Sequence, residues 1–492
     1  MIQGSTGILG VGVGNSVVNS GLITAIGGGS GGIDFSGDPN STLTVTNNAS
    51  GTITGDAYGI IASTATVFNY GTISAPTSIA VNANTLTLIN YASGIITGYG
   101  GAISGSQTPT LTITNFGTIS GGIGAASSGA ISGNVVNVTN SGTISIASGR
   151  GGPAISMASG SVINNAGVSI IGDFEAIATE GNTTIFNAGT ISANSSPAIV
   201  FAFFGGNTLT LGPGSVINDN VVATGSDTFQ LGGTGSDTFN ASNIGTQYTG
   251  FTTFNKIGTS TWTLTGTPAI VTPWTISGGT LVAAHQTGGT IDGLSSGDIT
   301  MNGGTLRTTV TGTYNNNLIF NANTSSTVSA AAGQTVTFGS NGGAAFTTFG
   351  ANSTATFGSP TDTGTIVIAS TLFPAADPTA NVVVAGGTLR DSNGSLGDAL
   401  GNMLSTTVNA GATLDLNDQA DVVNNLQGAG LVLTGTSAAT TLVLLTGNNA
   451  TNAPTTSLFS QITPRRRTAA SQQKRRGSCW WRRACRAARR RR

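Results

Sequence analysis

Two aspartates in Gly-rich stretches are the first candidates for chemistry. The segment GGTGSDTFN at 232–240 fits the nonapeptide pattern that binds calcium in β-helices, with Asp237 as the acidic ligand. Its neighbour VATGSDTFQ at 222–230 keeps Asp227 but lacks the leading glycines. Calcium needs several oxygens from consecutive turns, and one and a half imperfect copies do not supply them. We therefore expect two structural Gly-Asp turns beside buried Phe229 and Phe239, and calcium binding there stays an open alternative.

The segment GDFEAIATE carries the most acidic patch, with Asp173, Glu175 and Glu180. Paired carboxylates on a β-rich scaffold could cleave a glycosidic bond. The nearest basic residue in the sequence is Arg150, and no Lys, Arg or His cluster accompanies the patch. His285 is the only histidine, so a Ser-His-Asp triad or a multi-His metal site would have to form around it alone. We expect a solvated loop, with no catalytic, cofactor-binding or metal-binding residues.

The elements that would position such residues follow from an internal repeat. VFNYGTISA at 67–75 returns as ITNFGTISG at 113–121, VTNSGTISI at 138–146 and IFNAGTISA at 185–193. The spacing of its asparagine, between 21 and 31 residues, lies in the range of solenoid repeats. The recurring asparagines are Asn19, Asn47, Asn69, Asn90, Asn115, Asn140, Asn164, Asn187 and Asn218.

Each asparagine ends a segment of fixed alternation. The residue two before it is always aliphatic, and the residue three before it is always polar, which indicates a strand with one buried face. A glycine follows within two to four residues in eight copies, and an isoleucine stands two residues past it; only the copy with Ser169 departs. The glycine is expected to permit a turn that other residues resist, and the isoleucine to return the chain to the core.

Stacking these units predicts an all-β protein, a right-handed parallel β-helix of about 19 coils and on the order of 90 Å long. An array of β-sandwiches is the competing interpretation. The asparagines would form a column in which each amide donates to one neighbour and accepts from the other. Outward threonines would form further columns, typical of ice-binding faces, at Thr42/Thr44, Thr64/Thr66, Thr85/Thr87 and Thr110/Thr112; the columns break at Val135/Asn137 and Ser159/Ser161.

Charge divides the chain into two unlike parts. Residues 1–463 hold all eighteen acidic side chains but only four of the seventeen basic ones. Residues 464–492 are Arg-rich and contain both cysteines, Cys479 and Cys485. A genuine basic arm would bind nucleic acid or anionic lipid. The abrupt change instead favours a gene read out of frame, which predicts a disordered tail and no nucleic-acid partner.

A second type of repeat begins after residue 222. FNKIGTSTWTLTGT at 254–267 is followed by WTISGGTL at 274–281, and GGTL returns at 303–306 and 386–389. This pattern, a Lys-x-Gly before a Thr-rich strand with a GTL unit closing the coil, resembles the passenger-associated repeat of bacterial autotransporters. The Asn-x-Gly-Thr-Ile units also resemble passenger repeats of large autotransporter adhesins. We accordingly expect two β-helical regions, 1–222 and 223–463, followed by the tail at 464–492.

The resemblance implies an exported rod that an outer-membrane β-barrel delivers to the cell surface by type V secretion. We therefore expect an extracellular adhesin or structural stalk, not an enzyme, with an unknown host or cell-surface ligand. No signal peptide is visible at the N-terminus and no barrel-like strands follow residue 450, so both are expected only in a full-length protein. A β-helical polysaccharide lyase or hydrolase is the main alternative, and acidic and basic side chains converging on one face would distinguish it.

Overall fold

The structure is a computed structural model of the 492-residue chain. It describes residues 1–435 except 28, 30, 106–108, 123–128, 150, 196, 340–346, 370–376, 393–394 and 420, together with 442–445 and 462–463. This part of the chain is a parallel β-solenoid, which confirms the predicted fold class. It completes about 16 turns, slightly fewer than the spacing predicts. Arg150 and the tail at 464–492 lie outside the described residues.

Each turn of the first half contributes a short strand to one side, which we call sheet one. Outward and buried residues alternate along these strands, because successive side chains of a strand point to opposite faces. The ten strands pair in parallel, each with the strand one turn away. They are Ile2–Gly4, Leu22–Ala25, Thr52–Thr54, Thr72–Ala75, Ile95–Gly98, Thr118–Gly121, Thr143–Ile146, Ser169–Gly172, Thr190–Ala193 and Val216–Asn218.

The remainder of each early turn belongs to sheet two, whose longest strands bend and so cover two sides of the solenoid. Sheet two is also the one that continues into the second half. Its strands are Ile8–Leu9, Asn15–Asn19, Gly31–Phe35, Thr42–Asn47, Tyr58–Asn69, Ile79–Asn90, Gly101–Ser104, Thr110–Asn115, Ile131–Asn140, Ile155–Asn164, Ile177–Thr179, Thr183–Asn187, Ile199–Phe201, Thr208–Leu211, Val221–Leu231, Tyr248–Lys256, Trp274–Ile276, Ile299–Met301, Leu318–Phe320 and Thr347–Phe349.

Two further parallel sheets build the other sides of the second half. Sheet three comprises Ser236–Asn240, Thr261–Thr265, Thr280–Ala283, Thr305–Thr308, Ser325–Ala330, Thr354–Phe357, Asn381–Val384, Ser405–Val408 and Leu426–Gly428. Sheet four comprises Gln286–Thr287, Thr290–Ile291, Gly312–Tyr314, Thr335–Phe338, Thr365–Ile368, Thr388–Asp391, Thr413–Asp415, Leu431–Leu433 and Ile462–Thr463. Its first two strands form an antiparallel hairpin, whereas its other pairings are parallel.

A few elements depart from the coil pattern. Asp421–Asn424 pairs with Leu442–Leu445 in a separate two-stranded sheet. A 3₁₀ turn occupies Ala241–Asn243, and one α-helix, Ser395–Asn402, is inserted between strands of sheets four and three. The helix buries Leu396, Ala399 and Leu400, and no repeat signal in the sequence predicts it.

Buried side chains stack into columns, since parallel strands place equivalent residues one above the other. The isoleucine column of sheet one is Ile23, Ile53, Ile73, Ile96, Ile119, Ile144, Ile170, Ile191 and Ile217. The copy that seemed to depart at Ser169 fills the column with Ile170. Gly167 stands one residue early in its turn, at φ 78°, so Val168 takes the corner position that glycine holds elsewhere.

The predicted asparagine column is confirmed from Asn19 to Asn187. Each Nδ2 donates to the Oδ1 of the next asparagine at 2.8 or 2.9 Å. The members are Asn19, Asn47, Asn69, Asn90, Asn115, Asn140, Asn164 and Asn187, and we call them the asparagine ladder. Placing Asn218 in it was wrong. Asn218 is an exposed residue of sheet one opposite Ser192, and Leu211 continues the column above Asn187.

Candidate functional site

The two aspartates of the calcium-like motif do not form a common site. Asp227 is wholly buried, and its carboxylate accepts hydrogen bonds from the backbone and side chain of Asn207 and of Thr224. Asp237 lies on sheet three and accepts from the backbone N–H groups of Gly214 and Thr238. Phe229 and Phe239 are buried and their ring centroids are 5.3 Å apart. No group of three His, Cys, Asp or Glu residues that could hold a metal occurs in the described part of the chain.

The acidic patch is partly structural. Asp173 is 6% exposed, and its carboxylate accepts the backbone N–H groups of Gly149 and Gly151 and the Nδ2 of Asn194. Glu175 is half-buried and Glu180 is exposed. The side chain of Asp173 therefore connects loops of successive turns.

The threonine columns are in the register that the sequence predicts, from Thr42/Thr44 through Thr64/Thr66 and Thr85/Thr87 to Thr110/Thr112. The columns continue into Val135 and Asn137. Exposure along them is uneven, because the threonines of the first two turns are half-buried and only those of the next two are exposed. The fully exposed array of threonines thus covers only two turns, and ice binding stays a prediction.

The lysine of the second repeat, Lys256, lies in the same column as the asparagine ladder and bonds to corner carbonyls through its ammonium group. The column that contains the ladder runs on through Leu211 and Leu231 to Lys256. Lys256 is 0% exposed, and its Nζ donates to the carbonyls of Ile257 at 2.8 Å and Gly278 at 3.0 Å. These are corner carbonyls of two successive turns, the same kind of group that each asparagine amide caps. The Lys-x-Gly pattern therefore has a structural cause.

The following Ser and Trp of the same motif also bond to the neighbouring turn. Ser260 Oγ and Trp262 Nε1 both donate to the carbonyl of Gly232, at 2.8 and 3.0 Å. Trp262 is buried, as is Trp274 after it. The motif thus specifies how one turn fastens to the turn below it.

Burial makes Lys256 a source of pH-dependent stability. Burial lowers the pKa of its ammonium from 10.5 to about 8. Between these values the unfolded chain binds more protons than the folded chain, so the free energy of unfolding rises with pH in that window. Lys256→Met removes this titration. We expect the free energy of unfolding of the wild type, minus that of the variant, to increase by roughly 1–3 kcal/mol between pH 7.5 and 10.5.

Denaturant titrations of the two proteins at both pH values measure that difference. Tyr248 and Tyr314, whose pKa values burial raises, titrate in both proteins and cancel. A difference that stays flat across the window would show that the Lys256 ammonium remains fully charged in the fold.

An open groove of about 440 Å³ lies in the second half of the solenoid. The turn at 266–273 has no strand on this side, since its residues replace one with an irregular loop. The strand Thr290–Ile291 and the residues after it form the next level, and 315–316 form the third. The lining residues are Thr267, Pro268, Ala269, Ile270, Val271, Thr290, Ile291, Asp292, Ser295, Ser296, Asn315 and Asn316.

Asp292 contributes a carboxylate to the groove lining, and hydrogen bonds from two side chains hold it in place. His285 Nδ1 lies 2.7 Å from one of its oxygens, and Thr267 Oγ1 donates to the other at 2.9 Å. Burial alone would raise the pKa of Asp292. Hydrogen bonds from His285, Thr287 and Thr267 outweigh burial and lower that pKa below its usual value. Asp292 is therefore an anion at neutral pH and unsuited to act as a general acid.

The floor of the groove contains unused hydrogen-bonding capacity. Asn316 is 2% exposed and donates through Nδ2 to the carbonyls of Ser295 and Gly297, but its Oδ1 has no partner among the described residues. Ser295 has a left-handed backbone at φ 58°, and its Oγ accepts the N–H groups of Thr272 and Ser296. A strained backbone at Ser295 and a buried, unsatisfied amide oxygen on Asn316 both reduce stability. Such features are often found at functional sites.

Sequence reasoning did not find this groove. No companion residue for His285 was evident in the sequence, whereas the structure places Asp292 beside it through a hairpin that no repeat predicted. The available signal was the loss of periodicity between 266 and 273, where TPAIVTP interrupts the Thr-rich text.

No protein-family model matches the chain, and the chain has no significant similarity to a curated protein or to a solved structure. In the described residues no helix has the length and apolar character needed to span a membrane.

Proposed function

We propose that this chain is an autotransporter-like passenger that forms an adhesive or structural rod on a bacterial cell surface. The observation that carries the proposal is the ladder-and-column construction, in which every turn buries its residues against the turn before it. A chain built this way can fold turn by turn as it emerges from a secretion pore. The passenger-like motif supports the same proposal, since the side chains of Lys256, Ser260 and Trp262 form hydrogen bonds to backbone carbonyls of neighbouring turns.

A polysaccharide-cleaving role is less well supported by the geometry. Among the lining residues of the groove Asp292 is the only carboxylate, whereas glycoside hydrolysis ordinarily needs two. The arginines of the second half are used elsewhere. Arg307 forms a bidentate pair with Asp362, which Ser329 also contacts, and Arg390 pairs with Asp415. We propose that the protein acts by binding and not by catalysis.

Surface exposure can be measured on cells that produce the protein. We expect antibodies against the full chain to label intact cells, and protease added outside to remove the label while a cytoplasmic marker persists. The physical reason is that a rod with buried columns displays only its outer faces and loops when exported. Label that appears only after the cells are permeabilised would contradict the proposal.

A further inference from the structure

We propose that the groove between 267–271, 290–296 and 315–316 binds a neutral saccharide. Its volume of about 440 Å³ lies within the range of small-molecule sites, and it is lined by one apolar wall and one polar floor. As the ligand class of an adhesin, this site rests on the proposed function. Binding in solution can nevertheless be measured whether or not the chain is displayed on cells.

The polar floor calls for a ligand rich in hydroxyl groups. The Oδ1 of Asn316 is already buried without a donor among the described residues, and a ligand hydroxyl that donates to it would relieve that cost. The hydroxyl hydrogen of Ser295 is free to donate, because its Oγ only accepts within the described contacts. A sugar hydroxyl both donates and accepts, so it suits an acceptor and a donor on two residues that are already in contact, since Asn316 Nδ2 donates to the Ser295 carbonyl. A purely apolar ligand satisfies neither.

The charge of the groove selects against ionic ligands. None of the lining residues is basic, and Asp292 stays ionised, so a phosphate, sulfate or uronate would be repelled. A bound metal ion is not favoured either, because Asp292 already accepts from His285 and Thr267 and no second carboxylate lines the groove. Charged acceptors bind neutral hydroxyl donors strongly, which suits Asp292 to a neutral sugar.

The apolar wall fits the other side of a sugar ring. Ile270 and Val271 are 38% and 60% exposed, although both are aliphatic. Both belong to the lining of the groove, together with Pro268 and Ala269, and we call these four residues the apolar wall. The C–H face of a pyranose can cover this wall while its hydroxyls reach the floor. Covering exposed aliphatic carbon contributes favourably in proportion to the area removed from water.

The test uses the full chain and eight probes: glucose, galactose, mannose, N-acetylglucosamine, cellobiose, lactose, mannobiose and chitobiose. Saturation-transfer NMR finds the sugar that binds best, and calorimetry gives its Kd. Asn315→Ala removes an exposed groove amide that makes no hydrogen bond within the described part of the chain, so folding should be unaffected. We expect it to weaken binding about fivefold, and Val271→Asp, which replaces the apolar wall with a second negative charge, to weaken binding about tenfold or more.

Asn409→Ala is the matched control, because Asn409 is also an exposed asparagine whose side chain makes no hydrogen bond to another described residue, but it lies outside the groove. We expect its Kd to equal that of the wild type. The proposal is overturned if none of the eight sugars shows saturation transfer. It is equally overturned if Asn315→Ala and Val271→Asp bind the best sugar as tightly as Asn409→Ala does.

Discussion

Asn90→Ala is expected to lower the free energy of unfolding by about 2–4 kcal/mol. Asn90 stands in the middle of the asparagine ladder and is 0% exposed. Its Nδ2 donates to Gly94 O, Thr118 O and the Oδ1 of Asn115, and its Oδ1 accepts from Asn69. Alanine leaves the Asn115 oxygen buried without a donor and opens a small cavity. Both effects add to the cost.

The effect should be local, because each turn contacts only its neighbours. Hydrogen exchange read by mass spectrometry should show lost protection in Ile79–Asn90 and Thr110–Asn115, and unchanged protection in Thr354–Phe357. Asn90→Asp distinguishes the effect of the lost hydrogen bonds from the effect of the lost side-chain volume. It keeps the shape and the acceptor but loses the donors and buries a charge, so we expect a loss at least as large.

Asn48→Ala is the control for the ladder. Asn48 is the residue immediately after a ladder member, and it donates to the Oγ of Ser20 at an exposed position. Exposed hydrogen bonds contribute little, so the change should cost less than about 1 kcal/mol. Equal losses for Asn90→Ala and Asn48→Ala would show that the ladder adds nothing beyond ordinary surface bonding.

The regular part of the fold could be predicted from the sequence because its signals are local and repeated. Strand alternation, the asparagine column and the isoleucine column each recur with every turn, and parallel stacking converts recurrence into contact. The prediction was wrong where a strand of sheet one has the same residue pattern as a strand that ends in a ladder asparagine. The segment at 215–218 has the polar–apolar alternation of a ladder strand, yet it belongs to sheet one, and only the pairing of Asn218 with Ser192 distinguishes the two.

The groove could not be predicted for the opposite reason. It forms where the repeat is interrupted, at 266–273, so no column places its residues. Asp292 and His285 meet through an antiparallel hairpin, and Asn316 reaches the same place from the next turn. Periodicity predicts the strands and columns that recur in every turn. The residues of the candidate site lie in segments that depart from the repeat, so periodicity does not predict them.

The glycine after each ladder asparagine was expected to provide an unusual turn conformation, and that reason was wrong. Gly51, Gly71, Gly94, Gly117, Gly142 and Gly189 do not have positive φ values. Glycine is needed there because the turns approach one another closely. A Cβ on Gly94 would stand 2.5 Å from Asn69 O of the adjacent turn, and a Cβ on Gly142 would stand 2.2 Å from Gly117 O of the adjacent turn.

One turn of the chain already carries a side chain at this corner. Val168 stands where Gly142 and Gly189 stand in the adjacent turns. The backbone bond from Ser169 N to Gly142 O is 3.4 Å there, whereas the equivalent bond from Thr143 N to Gly117 O is 2.9 Å. Within the described contacts, Asn164 also makes no bond to the Val168 carbonyl, although the other ladder members cap their own corner. A Cβ at the corner is therefore accommodated by stretching one bond and losing another.

Gly117→Ala should impose the same distortion in the middle of the ladder. The new Cβ would stand 2.2 Å from Gly94 O, 2.5 Å from Tyr91 O and 2.8 Å from the Nδ2 of Asn90. Two of these atoms belong to the backbone, so the turns must separate. We expect a loss of about 2–3 kcal/mol in the free energy of unfolding, measured by denaturant titration. Faster hydrogen exchange in Ile95–Gly98 and Thr118–Gly121 should accompany it.

Gly21→Ala is the matched control, because Gly21 holds the same place after Asn19, the first member of the asparagine ladder. A Cβ there meets nothing within 4 Å, and the residue lacks a positive φ. Alanine restricts the unfolded chain more than glycine does, so this change should be neutral or stabilising by up to about 1 kcal/mol. Opposite signs for the two variants would establish contact between turns as the reason for the glycine. Equal losses would instead show that both corners require a backbone conformation that alanine resists. Contact between adjacent turns would then not be the reason for the glycine.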